Sequence, residues 1–209
     1  MDLGQKGVFC FTDALTPTQL VELVQRTEEL GYAALWYPEV VSYESFGLGG
    51  FLLAHTKKLI IASGIANIDA RDAAATKQGQ HTLAKLYGGR FLLGLGVSHV
   101  PLVKDARGHE YRPPVATMRA YLEDMDKAAS IAPPLDEPPP IVLAALGPQM
   151  IALAGRRTAG AFPCPSTRHG HGPLSVQTNG SVLSRRCFSS MSLPRRGRSR
   201  DRSWRSTCR

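Results

Sequence analysis

The chain has 209 residues, a formal net charge of +8 and 43% hydrophobic residues, a length that suits one domain or most of a larger one. No apolar run approaches the roughly 18 residues of a membrane span, and the N-terminus lacks the pattern of a signal peptide. The four cysteines, Cys10, Cys164, Cys187 and Cys208, show no metal-ligand spacing. We therefore expect no metal site and a reduced, cytoplasmic compartment.

Strands and helices alternate along the first three quarters of the chain. Apolar runs predict strands at 7–11, 33–37, 59–65, 91–95, 141–145 and 160–162. Helical spacing and capping signals predict helices from Thr16-Pro17 to Gly31, from Asp72 to Tyr87, over 115–130 and from Gly147-Pro148 to Arg157. The polar, Gly-rich residues 42–50 are interpreted as a loop before the end of a helix at 51–56, and residues 101–114 as a long loop.

Regular alternation of strands and helices with short connections predicts an α/β fold with a parallel sheet and helices outside it. A closed barrel and an open doubly wound sheet both fit this pattern. The barrel is favoured because no GxGxxG motif follows the first strand. A barrel of this type needs eight strands, and the chain supplies about six.

The fourth strand leads into the first candidate site. Gly94 and Gly96 remove side chains where this strand ends, so that another backbone or a ligand can come close. Ser98 and His99 then offer a hydroxyl and an imidazole, and in parallel α/β folds ligands bind beyond the carboxyl ends of strands. The alternative is a tight turn with an exposed histidine.

The C-terminal residues differ in character from the rest. Residues 1–164 hold 15 Lys and Arg against 16 Asp and Glu, whereas residues 165–209 hold ten Arg, ten Ser and one acid. Low hydrophobicity with high charge predicts that 165–209 is disordered. Three explanations are open: a disordered tail that binds RNA or acidic surfaces, a linker, or an out-of-frame readthrough of a GC-rich gene, and we favour the last. Nucleic-acid binding is therefore not expected, and the nearly neutral body gives no reason for it outside the tail.

Five motifs in this order and spacing resemble the luciferase-like monooxygenase superfamily. They are WYPE (36–39), ASGIAN (62–67), RDAAA (71–75), GRFLLGLGVSH (89–99) and LGPQMIALAG (146–155). The match is to the branch that uses the deazaflavin coenzyme F420, found in actinobacteria. It covers about 1–163 and implies a TIM barrel of the bacterial-luciferase kind, incomplete here because two strands are absent. Residues 1–164 would then form a partial, coenzyme-binding (β/α)8-type barrel.

The resemblance implies roles for individual residues, with His99 and Glu39 as the catalytic pair. His99 corresponds to an acid/base group, and Glu39 to an acidic residue close to the coenzyme ring that would orient His99 or hydrogen-bond the ring. Residues 63–66 match a third-strand bulge that in this family often holds a non-prolyl cis peptide against the ring. The implied coenzyme-binding residues are Ser63, Gly64, Ile65 and Ala66 of this bulge, Gly96, Val97 and Ser98 by the ring and phosphate, and Leu146 and Gly147 by the coenzyme tail. The simpler alternatives are a structural hydrogen bond for His99, a solvated charge for Glu39 and a helix cap for Gly147.

The same resemblance implies an oxidoreductase that transfers hydride between F420 and a small organic substrate. It also implies a homodimer, as in the family. Two other functions remain open: an FMN-dependent monooxygenase of the same superfamily, and a non-enzymatic protein with an RNA-binding tail. An unclosed barrel leaves open strand edges, so the activity of this chain is a separate question. His109 and Tyr111, in the loop over 101–114, are candidates for substrate contact.

Overall fold

The structure is a computed structural model that describes residues 7–129 and 133–162, together with the backbone of two short strands at 177–178 and 181–182. The other positions of the tail lie outside the described residues. The predicted disorder of 165–209 and the predicted boundary after residue 164 therefore concern mainly residues that the structure does not describe. No helix among the described residues is long and apolar enough to cross a membrane.

Strands and helices alternate as the sequence predicts. In chain order, the described elements are β1 (Gly7–Phe9), α1 (Pro17–Glu29), β2 (Ala34–Tyr37), α2 (Ser45–Ala54), β3 (Ile60–Ser63), β4 (Ala66–Asn67), α3 (Ala73–Leu86), β5 (Phe91–Gly96), a π-helix (Leu102–Ala106), α4 (Pro114–Lys127), β6 (Ile141–Ala144), α5 (Pro148–Arg157), β7 (Gly160–Phe162), β8 (Gln177–Thr178) and β9 (Ser181–Val182).

The strands form one sheet in the order β1-β2-β3-β5-β6-β7-β8-β9, with β4 also pairing with β5. All pairs from β1 to β7 are parallel, whereas β8 and β9 add an antiparallel hairpin to β7. Because β3 and β4 continue one another along β5, the parallel part has six strand positions. It is a half-barrel with helices between its strands, which confirms the predicted fold class.

Side chains alternate between two buried layers, as strand geometry requires. One layer joins the sheet to the helices and includes Leu35 and Tyr37 of β2. The other lies on the opposite face of the sheet, where the rings of Trp36 and Phe162 stack with centroids 4.7 Å apart. Trp36 and Tyr37 are 1% and 0% exposed, so both belong to the core as predicted.

Two predicted helix starts are confirmed by their caps. The Thr16 hydroxyl accepts from the Gln19 N–H, and the Gln19 side chain accepts from the Thr16 N–H, which makes a capping box before Pro17. The Asp72 carboxylate accepts from the Ala75 N–H at 2.7 Å at the start of α3. These caps set where α1 and α3 begin and hence where the preceding loops end.

The interpretation of residues 42–50 as a loop is wrong, because α2 begins at Ser45. Glu44 caps this helix by accepting from the Phe46 and Gly47 N–H groups. A Cβ on Gly49 would lie 2.7 Å from the Tyr37 hydroxyl. The glycines therefore bring the helix close to the sheet. The long loop over 101–114 likewise contains a π-helix, and the predicted strand 59–65 ends at Ser63.

Candidate active site

A cavity of about 760 Å³ opens at the carboxyl ends of the parallel strands. Its wall includes residues at or just after the ends of β1, β2, β3, β5 and β6 and residues at the start of α5. Most of them are apolar, including Phe9, Phe11, Val40, Leu102 and Met150. A largely apolar concavity of this size is typical of small-molecule and cofactor sites.

Nine of the eleven sequence-predicted site residues line this cavity: Glu39, Gly64, Ile65, Gly96, Val97, Ser98, His99, Leu146 and Gly147. Ser63 and Ala66 do not. Both are fully buried, Ser63 at the end of β3 and Ala66 in β4, where it pairs with Leu95. Any influence of these two residues on a ligand would act through the neighbouring backbone.

The bulge (residues 63–66) interrupts the sheet at the cavity. The Gly64–Ile65 peptide bond is cis, as the resemblance implies. The Gly64 N–H donates to the Tyr37 carbonyl at 2.7 Å, and the Glu39 N–H donates to the Ile65 carbonyl at 3.2 Å. The end of β2 therefore fixes both residues of the cis bond in the cavity wall.

Ser63 fixes the bulge to β5 from behind. Its hydroxyl donates to the Gly94 carbonyl at 3.0 Å and accepts from the Gly94 N–H at 2.9 Å. A Cβ on Gly94 would lie 2.1 Å from the Ser63 carbonyl oxygen. Glycine is thus required at residue 94 for the backbones of the bulge and β5 to approach this closely.

Gly96 has a second packing role, on the cavity side. A Cβ at this position would lie 2.5 Å from Ile65 Cγ1 and 2.7 Å from Ile65 Cδ1. The Ile65 side chain therefore occupies the space that a larger residue at 96 would take. Since both residues line the cavity, the absence of a side chain at 96 sets the position of Ile65 in the wall.

Glu39 is buried and fully hydrogen-bonded. Its side chain is 4% exposed and forms an ion pair with Arg71, whose side chain is 11% exposed. Oε2 accepts from the Asn67 N–H at 2.7 Å and from Arg71 Nη1 at 3.1 Å, and Oε1 accepts from Arg71 Nη2 and from the Ser45 N–H. Arg71 also pairs with Glu44 at 2.9 Å.

Electrostatics keep Arg71 charged. Burial acts to lower the pKa of the Arg71 guanidinium, but the hydrogen bond to Glu39 and the charges of Glu39 and Glu44 outweigh it and raise the pKa. Nearby, burial raises the pKa of the Tyr121 hydroxyl to about 12. That hydroxyl donates to the Arg71 carbonyl at 2.9 Å. Arg71 is therefore a permanent cation, and Tyr121 a neutral hydrogen-bond donor.

His99 lies at the exposed rim of the cavity. Ser98 before it has a φ of +58°, which is unusual for a residue with a side chain. The His99 carbonyl accepts from the Val103 N–H at 3.0 Å as the π-helix begins. Within the described part of the chain, the His99 imidazole makes no hydrogen bond, so both ring nitrogens are available to a ligand or to water.

The start of α5 forms the opposite side of the cavity. Gly147 is its N-cap, without a side-chain hydrogen bond, and Pro148 occupies its first turn. The first N–H groups of a helix have no partner within the helix. Those of Gln149 and Met150, which both line the cavity, are therefore available to an acceptor at this end.

Sequence reasoning missed several lining residues and the partner of Glu39. Phe11 and Val40 come soon after the first two strands, so the rule that ligands bind beyond strand ends could have found them. Of the two candidates for substrate contact, Tyr111 lines the cavity and His109 does not. No local signal links Arg71 to Glu39. Within the described residues, no group of three or more His, Cys, Asp or Glu residues could hold a metal ion.

Comparison with known proteins identifies a family and a fold. Residues 4–171 match the family model of luciferase-like monooxygenases. A protein of Mycobacterium tuberculosis, provisionally named a coenzyme F420-dependent oxidoreductase, is 26% identical over an alignment of 180 residues that covers 72% of this chain and 52% of that protein.

Two solved structures share the fold. An F420-dependent secondary alcohol dehydrogenase, in complex with an F420-acetone adduct, aligns with a TM-score of 0.65 and 19% identity over 74% of this chain and 56% of that one. The oxygenating constituent of 3,6-diketocamphane monooxygenase from Pseudomonas putida, with FMN, aligns with a TM-score of 0.59 and 15% identity over 73% and 55%. The chain thus spans about half the length of the proteins it matches.

Proposed function

The chain belongs to the luciferase-like monooxygenase family, and we propose that its cavity binds coenzyme F420 for hydride transfer to or from a small organic substrate. The observation that carries the proposal is the cavity itself, because it brings together the bulge, the loop from Gly96 to His99 and the start of α5. The name of the M. tuberculosis relative and the alcohol dehydrogenase that shares the fold support F420 as the coenzyme.

The lining residues fit a large, flat, partly anionic coenzyme. The wall is largely apolar, which suits a tricyclic ring. The start of α5, with Gln149 and Met150, suits a phosphate group because its N–H groups and helix dipole favour an anion. The chemistry of the bound deazaflavin is hydride transfer, which the protein must direct and supply with a proton.

His99 is the residue that we assign to proton transfer. Imidazole is the commonest acid/base group in catalysis, and this ring is exposed at the cavity rim with no hydrogen bond to any residue that the structure describes. Tyr111 and the apolar side chains around it provide the surface for an uncharged substrate. Glu39 contributes a fixed negative charge to the wall, because its two oxygens are already bonded to Arg71 and to backbone N–H groups.

Coenzyme binding and turnover by the purified chain test this proposal. Fluorescence titration should give tighter binding of F420 than of FMN. Reduction of acetone by the reduced coenzyme, or oxidation of 2-propanol by the oxidised one, provides a first turnover assay. His99→Ala should leave the dissociation constant within about threefold and lower turnover about 100-fold or more, the range for a lost general acid or base.

His55→Ala is the matched control, because His55 bonds to the Phe51 carbonyl on α2 and does not line the cavity. This control should leave both binding and turnover unchanged. Failure of the wild-type chain to bind F420 would refute the proposal. If His99→Ala and His55→Ala lost turnover equally, the assignment of proton transfer to His99 would be wrong.

An FMN-dependent monooxygenase is the second candidate, supported by the FMN-bound structure that shares the fold. Tighter binding of FMN than of F420, with oxygen uptake on reduction, would favour it. The homodimer implied by the family and the cytoplasmic location expected from the cysteines remain predictions, and RNA binding by the tail remains an alternative. Salt-sensitive RNA binding without affinity for either coenzyme would support the non-enzymatic alternative.

A further inference from the structure

We propose that Arg71 is a positioning residue for the coenzyme site, and that it acts through Glu39 to hold the bulge in place. The inference rests on the proposed function for its link to a coenzyme. Arg71 does not line the cavity, and no role is implied for it by the family resemblance beyond its place in the RDAAA motif.

Arg71 itself is held from several sides. Its guanidinium donates to both carboxylate oxygens of Glu39 and to the Asn67 carbonyl at 3.4 Å, and it pairs with Glu44 at 2.9 Å. Its carbon Cζ lies 5.2 Å from the centre of the Phe46 ring. A planar fork that bonds two oxygens of one carboxylate fixes the orientation of that carboxylate as well as its position.

The remaining bonds of Glu39 go to the bulge and its neighbours. Oε2 accepts from the Asn67 N–H at 2.7 Å, directly after the bulge, and the Glu39 N–H donates to the Ile65 carbonyl at 3.2 Å. Glu39 therefore ties the end of β2 to the chain on either side of residue 66, through its carboxylate at Asn67 and through its backbone N–H at Ile65. Ile65 rests on Gly96, and both form the cavity wall. Arg71 thus reaches the wall by a continuous path of hydrogen bonds and packing.

The charge on Arg71 is what keeps this path intact. A carboxylate as buried as that of Glu39 is costly to leave without a cation, and it would take up a proton or turn toward water. Either change weakens its bond to the Asn67 N–H. Glu39 then acts as a positioning residue through the bulge, and proton transfer is left to His99.

Arg71→Met and Arg71→Lys test the inference, with Arg90→Met as the matched control. Arg90 bonds to the carbonyls of Leu53 and Leu59 and to Thr56 beside the start of β5, away from the cavity. Two quantities are measured in each folded variant: the hydrogen-exchange rate of the Asn67 amide and the dissociation constant for F420.

Arg71→Met should speed exchange of the Asn67 amide and raise the dissociation constant, each about tenfold, which is the equivalent of one lost hydrogen bond of about 1.4 kcal/mol. Arg71→Lys keeps the positive charge, but an ammonium group lacks the planar fork that bonds both carboxylate oxygens. A smaller change in the same direction is therefore expected. Arg71→Lys also carries the test if Arg71→Met does not fold. Arg90→Met should change neither quantity by more than about twofold, although it lowers stability.

The inference would be overturned if the Arg71 variants kept the wild-type exchange rate and the wild-type affinity for F420. It would also be overturned if Arg90→Met changed these two quantities as much as the Arg71 variants do. The exchange measurement needs no coenzyme. If the wild-type chain binds neither F420 nor FMN, the proposed function fails, while the exchange rate of the Asn67 amide still decides whether Arg71 holds the bulge.

Discussion

Gly96→Ala is expected to weaken coenzyme binding without unfolding the chain. The new Cβ would lie 2.5 Å from Ile65 Cγ1, whereas carbon atoms in contact are about 3.5–4.0 Å apart. Ile65 must therefore move by about 1 Å, and the cavity is the space open to it. Overpacking of this kind costs about 1–2 kcal/mol, so the dissociation constant for F420 should rise about 5- to 30-fold in a fluorescence titration.

Ile65→Ala provides the control for this mechanism, because it removes the two atoms that the new Cβ would approach most closely and leaves the Ala144 Cβ at 3.3 Å as its nearest neighbour. In the Ile65→Ala background, adding Gly96→Ala should change the dissociation constant by less than about twofold, since the two residues no longer touch. An unchanged affinity in Gly96→Ala alone would refute the reasoning. The same loss in both backgrounds would show that the effect does not pass through Ile65.

Two further predictions concern the scaffold. Gly94→Ala should lower the free energy of unfolding by about 3 kcal/mol in urea denaturation, because its Cβ would lie 2.1 Å from the Ser63 carbonyl oxygen and disturb two buried hydrogen bonds. A loss below about 1 kcal/mol would contradict the backbone clash. Gly147→Ala is the control, because a Cβ at residue 147 would have nothing within 4 Å. Glu28 accepts from the N–H groups of three successive residues at 57–59. Although burial acts to raise its pKa, these bonds lower it below the ordinary 4.5. Its stabilisation is therefore present above pH 4.5 and is lost as the pH falls through the lowered value. Glu28→Gln should lower stability at pH 7 by about 1–2 kcal/mol and reduce the loss on acidification. The exposed Glu29→Gln should change it by less than about 0.5 kcal/mol, and equal effects of the two would contradict the assignment.

The sequence predicts well those elements whose signals are local. The apolar run from Phe91 is a buried strand as expected, and the capping signals at Thr16 and Asp72 mark where two helices begin. The cavity is also anticipated, because the rule that ligands bind beyond strand ends pointed to residues 96–99. These inferences need only residue types and their spacing.

The sequence does not predict features that depend on tertiary contact. The glycines of α2 are typical of a loop in sequence. In the structure, Gly49 lets the helix pack close to the sheet, because the Tyr37 hydroxyl leaves no room for a Cβ. Glu39 resembles a solvated or catalytic acid, and only the fold brings Arg71, 32 positions away in the chain, against it. The resemblance implies that Ser63 binds the coenzyme, and only the fold shows that its hydroxyl bonds to Gly94.

A crystal structure of the chain grown with F420 tests the central claim most directly. We expect the deazaflavin ring between the cis peptide at 64–65 and the loop over 96–99, with the phosphate near the start of α5. Density for the coenzyme at another surface, or a cavity filled by the protein's own side chains while the coenzyme is bound elsewhere, would contradict the account.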